Sequence, residues 1–106
     1  MSRLEKLEAF LKLDPNDSFT RYAIGLEYAS IKDYPKAIAA LETLRTADPA
    51  YVPTYYQLAD FYRQMKDTTQ ASQIYNLGIL VARQARDLHA ASELEAALDD
   101  MESNEF

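Results

Sequence analysis

The chain repeats itself at a fixed interval. Pro15 and Pro49 stand 34 residues apart, and the same offset relates Gly25 to Ala59, Tyr28 to Tyr62, Ala37 to Ala71 and Leu41 to Tyr75. A period of that length is the mark of helical hairpins stacked side by side, because one hairpin cannot hide both of its apolar stripes without a neighbour. The expected fold is therefore an all-α solenoid of antiparallel helix hairpins. Such a stack meets other molecules through a continuous curved wall of side chains and brings no chemistry of its own, so the period predicts a binding surface rather than an enzyme.

The breaks between helices are carried by aspartate and proline. Asp14-Pro15-Asn16-Asp17 and Asp48-Pro49 each end one helix and open the next, since proline cannot extend a helix and disfavours helical geometry in the residue before it. Asp33 and Asp67 have the character of N-caps, Asp67-Thr68-Thr69-Gln70 approximates a capping box, and Pro35 and Pro53 fall in first turns, where a missing N–H costs nothing. These signals predict six helices, over 2–13, 17–31, 34–47, 52–65, 68–84 and 87–101, and no strand. Apolar residues recur at helical spacing within them: Leu4, Leu7, Phe10 and Leu11; Ile24, Tyr28 and Ile31; Leu58, Phe61, Tyr62 and Met65. The two glycines, Gly25 and Gly78, lie inside such segments, where glycine costs ~1 kcal/mol against alanine. Their expected compensation is the close approach of a neighbouring helix.

Composition narrows the functional classes. A chain of 106 residues makes a single domain. No apolar run approaches the ~20 residues needed to span a bilayer. The opening Met1-Ser2-Arg3-Leu4-Glu5-Lys6 lacks the features of a secretory signal, so a cytoplasmic address is the expectation. Without cysteine there is no disulfide, thiolate metal site or cysteine nucleophile. The net charge of −6 is lopsided: all eleven Lys and Arg fall at or before Arg86, and only acidic groups follow it. Up to Arg86 the charges nearly balance, which leaves no basic face for nucleic acid. The acidic end reads as a solvated helix face and tail. His89, the single histidine, has no Cys or second His beside it and reads as a surface or groove side chain rather than a metal ligand.

The run Arg21-Tyr22-Ala23-Ile24-Gly25-Leu26-Glu27-Tyr28, followed by Tyr34-Pro35-Lys36-Ala37-Ile38, Leu41, Leu44 and Pro49, resembles a tetratricopeptide repeat. So does Tyr55 with Leu58, Ala59, Tyr62, Ala71, Tyr75 and Gly78. The resemblance, which covers about residues 3–100, implies a right-handed superhelix: a half-repeat helix at 2–15, repeats at 16–49 and 50–83, a capping helix at 84–101 and an acidic tail at 102–106. It departs from the pattern in two ways. Arg21 stands where Tyr55 fills the large opening position of the next repeat, and Lys32 and Lys66, each followed by Asp, replace the turn glycine. A lysine in a left-handed turn costs ~1 kcal/mol, so strain is expected there. The final helix fits a spacing of 33, which aligns His89 with Tyr56 and Tyr22 and puts Glu95 in the tyrosine column, as suits a solvent-facing cap.

The resemblance further implies that the first helix of each hairpin lines a concave groove for an extended peptide or a helix. Carried over by position, that groove holds Phe19, Tyr22, Ala23 and Leu26, then Tyr56, Gln57, Asp60 and Arg63, then Arg86, His89 and Glu93. Tyr22 and Tyr56 offer large rigid contact area, and Arg63 is the expected polar anchor. Tyr28, Tyr34, Tyr62 and Tyr75 are expected in the core. Relatives that clamp the C-terminal carboxylate of chaperones carry a lysine and an asparagine where this chain has Tyr22 and Leu26, so an apolar or aromatic-contacting ligand is expected instead. The alternative function is a self-associating unit, a weak homodimer through the first helix, whose Leu4, Leu7, Leu11 and Leu13 exceed what one neighbour covers. No catalytic constellation and no cofactor site is expected, and the partner is a protein or peptide rather than nucleic acid or membrane.

Overall fold

A computed structural model describes residues 1–104 and contains, over that span, only helices and turns. The helices are α1 (Arg3–Leu13), α2 (Ser18–Ser30), α3 (Tyr34–Ala47), α4 (Pro53–Gln64), α5 (Thr68–Gln84) and α6 (Leu88–Ser103). Five of the six begin where a side chain meets the unpaired N–H groups of the first turn. Ser2 and Glu5 form a reciprocal capping box on α1, and Asp17 caps α2 through the Phe19 N–H. Asp33, Asp67 and Asp87 accept from the N–H of Lys36, Gln70 and Ala90 at 3.2, 3.1 and 3.0 Å. α4 has no side-chain cap; Pro53 opens it, so one of the orphan donors is missing from the start.

Three of the chain reversals are built alike. Lys32, Lys66 and Arg86 are left-handed, with φ of 60°, 63° and 59°. At each, the left-handed residue donates its N–H to the carbonyl three back (Ala29, Arg63, Arg83), and the following aspartate donates to the carbonyl five back (Tyr28, Tyr62, Ala82). That is a Schellman closure in which the last residue of one motif is already the cap of the next helix. The expectation for Lys32 and Lys66 is met. Arg86 is a third case, the turn residue between α5 and α6. Without an Asp-Pro stop near Arg83, α5 runs to Gln84 and is the longest helix, at 17 residues. α6 reaches Ser103, so Glu102 belongs to the helix rather than to a tail. The rest of the expected acidic tail, Glu105 and Phe106, lies outside the described residues.

Arg21 and Tyr55 prove chemically equivalent. The Tyr55 hydroxyl donates to the carbonyl of Pro49, and the Arg21 guanidinium donates through Nε and Nη2 to the carbonyl of Pro15 at 3.1 and 2.9 Å. Both side chains reach back to the proline that opens their own repeat, which ties each Asp-Pro loop to the helix it precedes. A second tie joins the two ends of the first repeat: the Ser18 hydroxyl, at the start of α2, donates to Asp48, just after α3, at 2.6 Å.

The core follows the helical stripes. Leu41, Leu44, Tyr55, Leu58, Tyr75 and Leu94 are sealed from water at its centre. The glycines admit close helix approach, as expected: a methyl at Gly25 would lie 2.6 Å from Leu41 Cδ2, and one at Gly78 would lie 2.5 Å from Tyr55 Cβ. Of the four tyrosines expected in the core, only Tyr75 is fully buried. Tyr28, Tyr34 and Tyr62 lie half-buried along its edge, and the hydroxyl of Tyr62 donates to Glu42 at 2.5 Å. α6 buries Ala91, Leu94, Leu98 and Met101 and turns a polar face outward, with Glu95 paired to Arg83. α1 buries nothing completely; Phe10 is 61% and Leu13 84% exposed.

Candidate functional site

The first helices of the successive hairpins, α2 and α4, and the terminal α6 share one side of the stack. Between them lies a cavity of about 330 Å³ lined by Tyr22 from α2, by Tyr56 and Gln57 from α4, and by His89, Glu93 and Leu94 from α6. Tyr56 is 40% exposed and stands edge-on to the buried Tyr75, with ring centroids 6.4 Å apart. Tyr22 is half-buried and meets Tyr51 edge-on at 6.0 Å. Both rings are therefore held by aromatic neighbours while presenting a face to the cavity. Burial raises the pKa of the Tyr22 phenol, partly offset by its bond to the Gln57 side chain, so Tyr22 stays neutral and polar at the mouth. His89 is almost wholly exposed and faces Glu93 one helical turn on, close enough to pair when the imidazole is protonated.

Five of the eleven groove residues proposed from sequence, Tyr22, Tyr56, Gln57, His89 and Glu93, thus converge on this cavity. Asp60 and Arg63 line a separate, more polar recess of about 430 Å³ with Gln64, Lys66 and Asn104. Arg63 is engaged there: the hydroxyl of Tyr75 and the carboxylate of Asp100, the latter at 3.2 Å, hold its guanidinium and raise its pKa further. Phe19, 65% exposed, and Leu26, half-buried against the core, line neither recess. Sequence reasoning missed Val52, Pro53, Asp87, Ala90 and Leu94 in the cavity wall. The first four come from the N-terminal ends of α4 and α6, where no apolar periodicity points to them.

The profile of the tetratricopeptide repeat family matches residues 32–98, well over half of the chain. The chain belongs to the tetratricopeptide repeat family. Solved structures agree. A tetratricopeptide repeat domain protein from Salinibacter ruber, in its solution structure, is 39% identical with a TM-score of 0.81, over 85% of this chain and 91% of that one. The crystal structure of the Salinibacter ruber domain gives 38% identity and a TM-score of 0.77, over 82% of this chain and 97% of that one. A Bordetella parapertussis protein shares the fold at 23% identity, with a TM-score of 0.85 over 98% of this chain and 90% of that one. A search of curated protein sequences returns no significant match.

Tetratricopeptide repeats are in general protein-binding and non-catalytic. Among the described residues no group of three or more His, Asp or Glu is placed to hold a metal ion, and no helix is long and apolar enough to cross a membrane. The two positions of the chaperone-type carboxylate clamp hold a phenol and an aliphatic side chain, Tyr22 and Leu26. Neither can supply the charge-assisted bonds by which a free C-terminus is held.

Proposed function

We propose that this chain is a non-catalytic protein-interaction module that seats a peptide or helix of a partner protein along the side of the stack shared by α2, α4 and α6. The observation that carries the reading is the pair Tyr22 and Tyr56, rings fixed by aromatic neighbours yet open to one cavity. Rigid aromatic surface of this kind is the usual material of binding hot spots, since little side-chain entropy is lost on contact. A seat of about three helices buries at most ~800 Å² per partner, which suits micromolar affinity.

Selection from a displayed peptide library, followed by binding measurements with Tyr56→Ala, tests the reading. Peptides selected by the wild-type chain should lose at least about tenfold in affinity for the variant while its helicity is unchanged. Selected peptides that bind the variant equally well would place the interaction elsewhere. Self-association through α1 is a second reading, supported by the exposure of Phe10 and Leu13 on a helix with no buried residue.

A further inference from the structure

We propose that the cavity between α4 and α6 takes a cationic side chain, an arginine or lysine of the bound segment, between its tyrosine rings and its carboxylates. This rests on the interaction reading above and names the chemistry of the occupant. Arg63, the side chain best suited to draw a carboxylate, is already spent on Asp100 and Tyr75 in the neighbouring recess. The charges left around the rings are acidic. Asp87 and Glu93 line the cavity with Tyr22 and Tyr56, and no lysine or arginine does. Asp60, one turn along α4 from Tyr56, lies in the next recess, and among the described residues no ion pair reaches Asp60 or Asp87.

The individual groups are placed to cooperate. Asp87 spends one carboxylate oxygen on the Ala90 N–H and keeps the other for a ligand. Among the described residues Glu93 has only His89 as an ionic partner, and that imidazole, 87% exposed in its side chain, gives way to a permanent cation without disturbing any packing. A guanidinium or ammonium entering here meets aromatic faces and carboxylate oxygens together, the pairing that cations prefer to either alone. The fold already uses this chemistry on itself, with Lys36 Nζ 5.8 Å from the ring centre of Tyr28. Beyond the cavity, the wholly acidic stretch after Arg86 attracts a basic segment toward α6 before contact.

The probes are four capped pentapeptides, alanines with arginine, lysine, leucine or glutamate at the centre, titrated into the full chain and followed by amide chemical shifts. The arginine and lysine peptides should move the resonances of Tyr56, Gln57 and Glu93, and the glutamate peptide should not. Glu93→Gln should weaken the arginine peptide about three- to fivefold, the effect of one partly exposed ion pair. Glu102→Gln, which removes the same charge from the exposed far end of α6, should leave it unchanged. Equal losses in the two variants would reduce the attraction to overall charge and overturn the proposal. So would leucine or glutamate peptides binding at these residues as well as arginine, an outcome that leaves the interaction reading standing. If none of the four peptides shifts these residues, the cation proposal is overturned, and the interaction reading is decided separately by the library selection with Tyr56→Ala.

Discussion

Alanine at Gly78 sets two known effects against each other, and the structure decides the sign. Helix propensity favours alanine over glycine by ~1 kcal/mol. The new methyl, however, would lie 2.5 Å from Tyr55 Cβ and 3.2 Å from Leu94 Cδ1, where ordinary contact begins at 3.4 Å. A Cβ atom cannot swing aside, so α4 and α5 must part by about 1 Å in a core packed to crystal density. Tyr55 cannot adjust for them, being buried and held at its far end by the Pro49 carbonyl. Overpacking of this kind costs ~1–3 kcal/mol, and with both ends of the neighbour fixed the upper figure applies. The net is a loss of ~2 kcal/mol, or about 10 °C in Tm for a domain of this size. Gly25→Ala is the internal control, because its methyl meets Cδ2 and Cγ of Leu41, atoms that a change of rotamer can move. Its net effect should fall within ~1 kcal/mol of zero. Thermal melts by circular dichroism measure both. A Gly78→Ala protein that melts at or above the wild-type temperature, or a Gly25→Ala protein that loses more, would show that the glycines are not there for helix approach.

Two further outcomes follow from the turns and the tyrosines. Replacing Lys32, Lys66 and Arg86 by glycine relieves left-handed strain and should raise stability by about 0.5–1 kcal/mol at each position, read as a higher urea midpoint at unchanged slope. The phenols of Tyr22, Tyr51, Tyr55, Tyr62 and Tyr75 all have raised pKa values, with burial the first cause in each and the Glu42 carboxylate adding strongly at Tyr62. Since the unfolded phenol ionises near ~10 and these only above it, their contribution to stability is complete below that pH and lost as pH climbs through the folded values. Melting temperature should therefore fall steeply from about pH 10 upward, and Tyr62→Phe should flatten the fall. Phenols that all ionised together at the ordinary value with helicity intact would contradict this.

Much of the architecture was legible because its determinants are local. The Asp-Pro breaks, the aspartate caps and the small residues at Gly25, Ala37, Ala59 and Ala71 act at fixed offsets, so the period exposes them directly. The third left-handed turn escaped because Arg86-Asp87 lies only 20 residues after Lys66-Asp67, outside the period. Spacing reveals which face a tyrosine occupies but not how deep its hydroxyl sits. That is why Tyr75 is sealed while Tyr28, Tyr34 and Tyr62 stop at the rim. Positional transfer brought Tyr22, Tyr56, Gln57, His89 and Glu93 together, and it failed to separate them from Asp60 and Arg63. The division depends on Arg63 reaching Asp100, a contact across 37 residues that no local pattern encodes.

The doubled role of Asp33, Asp67 and Asp87 has a mechanical consequence. Because each closes one helix and opens the next without an intervening residue, the helices on either side behave as a single stiff bracket. Compliance is left to the two Asp-Pro joints, and the joint at Asp48–Val52 sits beneath the gap between α2 and α4. The breadth of the proposed binding trough between α2 and α4 is thus governed by one short hinge. It is latched by Ser18 on Asp48 and by Tyr55 on Pro49, and a guest that wedges the trough wider works against those two bonds first.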